Sequence, residues 1–284
     1  MKFGFVTCVQ LGLSCIEAIY EVGGKLDLLL TLPDDRARQK SGRIYLDDFA
    51  RRHAVPLVKV RHINDPASLV ALADARLDWL FIFGWSQIAG PEVLAMPGQG
   101  VIGMHPTLLP EGRGRAAIPW AILKRLERTG VTMFRMDEGV DTGDIIAQIE
   151  IPMRPNVDAG ELYDAVDAAH VTLMKQAFPQ LAANAIALRE QDEARATVWP
   201  GRKPEDGRID LSGSVRDAEC LVRAVSRPYP GAFFDEGGRR TIVWKAELAE
   251  TDRSLINEAP VLQFHDGTLR LIETEQVPLP DGST

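Results

Sequence analysis

Cysteine is scarce. The chain has three, Cys8, Cys15 and Cys220, with no metal-ligand spacing and no even framework. That excludes a disulfide scaffold and a zinc ribbon, so no metal is expected. The three read as reduced thiols, and the expected compartment is cytoplasmic. Long apolar runs are absent too, none approaching the roughly 20 residues that span a bilayer. Met1-Lys2-Phe3 leads straight into a strand-like run with no signal-peptide pattern. No membrane association is expected. Positive charge is in deficit: 32 Lys and Arg stand against 40 Asp and Glu, a net −8. General nucleic-acid binders carry a basic surface or a high pI, so this balance argues against one, although a local patch would suffice. Internal repeats and low-complexity tracts are also missing.

What is present is ordinary globular material. Hydrophobic residues make up 45% and charged residues 25% of 284. That length suits one large domain plus one small one. The first two thirds alternate apolar runs with helical spacing. Runs at Phe3 to Cys8, Leu26 to Leu32, Leu57 to Val60, Trp79 to Phe83 and Gly100 to Met104 read as strands. Gly12 to Val22, Ile44 to Ala54, a segment opened by Asp65-Pro66, and Pro91 to Ala95 read as helices. This rhythm predicts an α/β domain with a Rossmann-like, mostly parallel sheet. Val131 to Arg135 and Ile145 to Ile151 follow as a hairpin-like pair, then a long helix from about Ala159 to Asn184. The polar stretch 191–207, with Pro200-Gly201 and Pro204, reads as a linker. A helix at Ser214 to Val225 and four short strand candidates predict a small, mainly β, OB-like second domain. The strand candidates are Phe233 to Phe234, Thr241 to Leu248, Pro260 to Phe264 and Thr268 to Ile272. The expected division is 1–190, a linker at 191–207, and 208–284.

Sites in parallel sheets lie at the carboxyl ends of strands, and His105 falls at one. A Gly/Pro-punctuated loop follows it, Pro106 to Arg115. A buried histidine bonded to backbone is the plain alternative; the surroundings favour a general base. The other histidines, His53, His62, His170 and His265, lack such surroundings and read as surface or structural. Asp141 is the natural partner, in a loop where Gly139 and Gly143 permit sharp turns. Asp137, Glu138 and Asp144 read as a solvated acidic turn around it. Leu108-Leu109-Pro110 is apolar where a loop should be polar, which suits either packing on the core or a mobile cover over a flat ligand. Arg113 and Arg115 suit an anion near a helix start as well as they suit a plain surface. Phe83-Gly84-Trp85-Ser86-Gln87-Ile88 closes the preceding strand, and Gly84 would let backbone approach a ligand. Arg36, Arg38, Lys40 and Arg43 form a basic loop, either solvated or set for phosphate.

The set of motifs resembles the folate-dependent formyltransferases. His105, Leu108-Leu109-Pro110 and Arg113-Gly114 resemble one signature. Thr129-Gly130-Val131-Thr132, Met136-Asp137 and Val140-Asp141-Thr142-Gly143 match a second. Glu205 to Asp210, Leu221 to Ala224 and Pro228 to Phe233 are similar to the C-terminal domain of methionyl-tRNA and amino-sugar formyltransferases. The resemblance implies formyl transfer from 10-formyltetrahydrofolate to a primary amine, with His105 and Asp141 catalytic. It implies a folate along Phe83 to Ile88, Leu108 to Pro110, and Gly139, Val140 and Asp144, with the acceptor near Gly103, Arg113 and Arg115. The expected acceptor is a small-molecule amine, a nucleotide-linked amino sugar ahead of tRNA. A catalytically silent ligand-binding protein is the third reading, because the family's catalytic Asn falls at Gly103. A side-chain amide aimed at a developing oxyanion is worth about 10²–10³ in rate, and glycine supplies none. The expectation for Gly103 is that it makes room for the acceptor or another catalytic group. Nothing in the sequence sets an oligomeric state.

Overall fold

The computed structural model describes residues 1–35, 43–249 and 260–279. Its elements run, in chain order, β1 (Phe3–Val6), α1 (Gln10–Glu21), β2 (Leu28–Thr31), α2 (Asp47–His53), β3 (Leu57–Lys59), α3 (Pro66–Ala75), β4 (Trp79–Ile82), α4 (Pro91–Ala95) and β5 (Gly100–His105). Then come β6 (Arg113–Gly114), α5 (Ala117–Leu123), β7 (Arg128–Arg135), β8 (Ile145–Pro152), α6 (Ala159–Ala182) and β9 (Val198–Trp199). The chain finishes with α7 (Val215–Val225), β10 (Ala232–Glu236), β11 (Arg239–Leu248), β12 (Val261–Phe264) and β13 (Gly267–Pro278). Two compact units result. The first comprises 1–113, 130–151 and 166–198; the second comprises 114–129, 152–165 and 199–284.

The first unit is built on a seven-stranded sheet of order β3-β2-β1-β4-β5-β7-β8. Strands β1 to β5 are parallel, and β7 joins β5 antiparallel. The order reverses direction between β1 and β4, where Rossmann-like sheets open a crevice beyond their strand ends. Both faces are covered, so the strands read as continuous apolar runs rather than alternating ones. Phe3, Phe5, Phe81 and Phe83 stack on one face, and Phe178 of α6 closes on Phe3 at 4.7 Å between ring centroids. Val6, Leu80, Ile82 and Val101 fill the other face with Leu72 and Val93. Each such buried side chain contributes about 1.5–3 kcal/mol.

Three local expectations change. α2 starts at Asp47 instead of Ile44, because Arg43 forms a bridge with Val9 and Leu46 is buried ahead of the helix. Asp65 does precede α3, with Pro66 in the first turn, but its carboxylate accepts from the His62 N–H and caps nothing. The 191–207 stretch, expected as a linker, holds a buried Gln191 and short helical turns at Glu193–Arg195 and Pro204–Gly207.

The second unit is antiparallel, with order β10-β11-β13-β12. α7 packs its Val215, Ala218 and Val222 face inward. Ser214 caps α7 by accepting from the Asp217 N–H. Among the described residues no helix is long and apolar enough to cross a membrane.

Candidate active site

β5 delivers His105 to its carboxyl end with a nearly buried side chain. Two acceptors flank the ring. Nε2 lies 2.8 Å from the Gly112 carbonyl oxygen, and Nδ1 lies 3.5 Å from Asp141 Oδ2. Both neighbours are acceptors, so the neutral ring can donate to only one of them at a time. A ring that has taken a proton from a substrate can donate to both neighbours. Asp141 sits at φ 56, a left-handed backbone that Asp tolerates better than most residues. The turn before it is tied by Asp137, whose carboxylate accepts from the Gly139 N–H and the Thr142 hydroxyl.

One side chain outside the expected set holds this arrangement. Gln191 Nε2 donates to the carbonyls of Asp141 (2.9 Å) and Gly143 (2.7 Å). Its Oε1 accepts from Arg113 Nε (3.1 Å) and Nη2 (2.8 Å). A primary amide can make four such bonds, and all four are made. Gln191 thus braces the Asp141 loop against the residue that follows Gly112, the other partner of His105. Arg113 is buried and also pairs with Glu193. That carboxylate holds the guanidinium above its usual range.

The loop after His105, open to reading as a mobile cover, is packed on the core and hydrogen-bonded to the sheet. Thr132 lies opposite His105 in the sheet. Its hydroxyl accepts from the Leu109 N–H and donates to the Thr107 carbonyl. Gln148 Nε2 donates to the Leu109 carbonyl at 2.8 Å. Leu109 and Pro110 are buried and Leu108 half-buried, its side chain against Gly130.

Gly103 is buried two residues before His105, on the same strand face. A Cβ there would lie 3.0 Å from Phe134 Cζ and 3.1 Å from Met136 Cγ. Phe134 is its cross-strand partner. The room left by the missing side chain is therefore filled by hydrocarbon belonging to the protein itself.

Two family models match the chain. One, described as formyl transferase, covers residues 32–178, and the other, formyl transferase, C-terminal domain, covers 202–279. The chain belongs to the formyl transferase family. Several solved structures share its fold. HypX from Aquifex aeolicus is 19% identical with a TM-score of 0.70; the match covers 98% of this chain and 46% of HypX, so the chain spans about half of that protein. An N-formyltransferase from Helicobacter canadensis, in complex with folinic acid and dTDP-3-aminofucose, is 17% identical with a TM-score of 0.69 over 97% of this chain and 100% of that one. The methionyl-tRNA formyltransferase from Clostridium thermocellum is 15% identical with a TM-score of 0.62 over 98% and 99%.

The other expected residues of this formyl transferase chain are more scattered in role. Phe83 is buried. Gly84 has φ +62, and a Cβ there would strike Val9, so its freedom serves a close approach within the sheet crevice. Gln87 is committed: its Oε1 accepts from the Ile63 N–H (2.8 Å) and Trp85 Nε1 (3.1 Å), and its Nε2 donates to the Arg61 carbonyl. It is no spare donor for an oxyanion, and neither is the buried Thr107. Ser86 and Ile88 are exposed, as are Gly139 and Val140. Asp144 uses its carbonyl to bind the Arg135 N–H. Arg115, in the second unit, is exposed along Gly201. Arg36, Arg38 and Lys40 lie outside the described residues, whereas Arg43 donates to the Thr31 hydroxyl.

Gln191, Gln148 and the Gly112 carbonyl were missed by sequence reasoning. Gln191 opens a charged stretch with no apolar period, so no local signal marks it. His170 is structural as expected, yet it has a consequence. It is buried in α6 with Nδ1 donating to the Val166 carbonyl. Burial pushes its pKa down to about 4, and the charge of His105 adds to the shift.

Proposed function

We propose that the chain transfers a formyl group from 10-formyltetrahydrofolate to the primary amine of a nucleotide-linked amino sugar. The observation that carries this is the pairing of a buried His105, at the carboxyl end of β5, with a half-buried Asp141 inside a formyl transferase domain. His105 takes the proton of the attacking amine, and Asp141 holds the ring and its acquired charge. With hydrocarbon filling the space beside Gly103, that strand position supplies no side-chain donor for the developing oxyanion. The one-carbon donor suits the loops at 83–88 and 137–144. There Ile88 and Val140 leave apolar side chains 77% and 60% exposed, a surface for a flat heterocycle. Leu108 contributes its half-buried side chain.

The nucleotide-linked acceptor is favoured by the acidic balance and by a cavity of about 130 Å³ in the second unit. That cavity joins two C-terminal motifs, with Arg202, Lys203 and Tyr229 in its wall. Arg202 stacks over the Trp120 ring at 5.1 Å. Such a cation and aromatic set suits a phosphoryl group, and the cavity's size suits that part of the ligand alone. The Helicobacter relative was solved with an acceptor of this class. The methionyl-tRNA relative supplies the second reading.

The test is a formyl-transfer assay with 10-formyltetrahydrofolate against a panel of nucleotide-linked amino sugars and methionyl-tRNA. A formylated sugar is expected, with His105→Ala and Asp141→Asn each slowing turnover by about 10²–10⁴ while remaining folded. Preferential formylation of tRNA, weakening steeply with salt, would overturn the acceptor. No transfer to any amine, with folate binding retained, would leave the silent ligand-binding reading.

A further inference from the structure

The second unit contains a larger cavity, of about 330 Å³, at the low end of the range for small-molecule sites. Four guanidinium groups reach its wall from three separate segments. Arg125 follows α5, Arg154 precedes α6, and Arg216 and Arg223 lie on α7. Two carboxylates, Glu127 and Glu219, share the wall, so its formal charge is +2 (four minus two). Glu219 is spent on Arg223, which holds it through two bonds of 2.6 and 3.0 Å and also donates to the Val157 carbonyl. The acids that pair with the others, Asp217 for Arg125 and Glu161 for Arg154, lie outside the lining. Arg216 is exposed and has no ion pair among the described residues. The rest of the wall is apolar, with Leu126, Met153 and Leu248.

Guanidinium forks match phosphate oxygens in plane and spacing. An apolar floor beneath them suits a ligand with a carbon skeleton as well as a charge. We propose that this cavity binds an organic phosphate, of the nucleotide or sugar-phosphate class. Arg154, Arg216 and Arg125 would take the phosphoryl oxygens, and Met153 and Leu248 would cover the organic part. Arg223, already saturated by Glu219, stiffens the wall. None of its lining residues belongs to the His105 site, and the proposal does not rest on the identity of the acceptor.

Methionine-methyl NMR on the full chain tests it. Met153 lines the cavity, while Met136 packs beside Gly103 and reports separately on the active site. Pyrophosphate and UDP are the probes. Each is expected to shift the Met153 methyl signal saturably; pyrophosphate acting alone assigns recognition to the phosphates, and UDP binding more tightly adds the organic part. The double variant Arg154→Ala/Arg216→Ala changes two exposed side chains and should raise the midpoint at least about tenfold, since it removes two charge-assisted partners of the phosphoryl oxygens. Formyl transfer without added ligand should be unchanged in that variant. A Met153 signal unmoved at millimolar probe overturns the proposal. So does a midpoint that the double variant leaves where it was, or movement confined to Met136.

Discussion

Glutamine side chains tie loop backbone at two places: Gln87, just after β4, and Gln191, beside the histidine that ends β5. At β4 the grip is short-range. Gln87 bonds the 61–63 segment and Trp85, and no titratable side chain is among its partners. At β5 the grip comes from beyond α6. Gln191 ties the Asp141 and Gly143 carbonyls to Arg113, with the histidine–carboxylate pair between them. The first arrangement shapes a surface. The second holds the Asp141 loop beside His105; in the proposed chemistry, angstrom-scale misplacement of that pair would cost about 10² in rate.

Matched substitutions separate the two. Gln191→Met keeps the volume but strands two carbonyls and a guanidinium; kcat should fall about 10–10² fold with donor KM nearly unchanged. Gln87→Met should raise donor KM and leave kcat within about twofold. Steady-state kinetics on both variants decides the matter, and an equal loss of kcat in the two would erase the distinction.

A smaller effect is expected at Gly103. The Asn side chain meets Phe134 and Met136 at about 3 Å. Gly103→Asn should therefore cost about 1–3 kcal/mol of stability by overpacking and bring no gain in turnover. Shortening the ring as well, in Gly103→Asn/Phe134→Leu, should recover part of the stability. Urea unfolding alongside turnover measures both. A faster single variant would show that the strand end can still admit an amide.

The least effect at neutral pH concerns His170. Its folded pKa of about 4 lies below the unfolded value near 6.5. The unfolded chain therefore binds the extra proton first as pH falls. Stability is full above about pH 6.5 and declines toward pH 4, by up to about 3 kcal/mol. His170→Gln should flatten that slope in urea midpoints taken between pH 7 and 5. An unchanged slope would assign the acid sensitivity to other groups.

The sheet was legible because strands buried on both faces leave uninterrupted apolar runs, as at Leu28–Thr31 and Trp79–Ile82. His105 and Asp141 were legible from their positions at a strand end and in a Gly-bounded loop. The anchoring of Leu108 to Pro110 was not, because it depends on Thr132 and Gln148, polar residues of other strands. Nor was the occupant of the space at Gly103. Phe134 lies opposite it only through antiparallel pairing of β5 with β7, and no local pattern encodes that register. Gln191 is the extreme case: its meaning lies wholly in partners about 50 and 78 positions away.

That distance also sets an order in time. Domains fold as the chain emerges from the ribosome, at about 5–20 residues per second. The strands from β1 to β8 are complete by residue 152. Until residue 191 has appeared, however, the Asp141 and Gly143 carbonyls lack their amide partner. A chain that stops short of residue 191 can hold every strand from β1 to β8 and still lack the amide link between the Asp141 loop and Arg113.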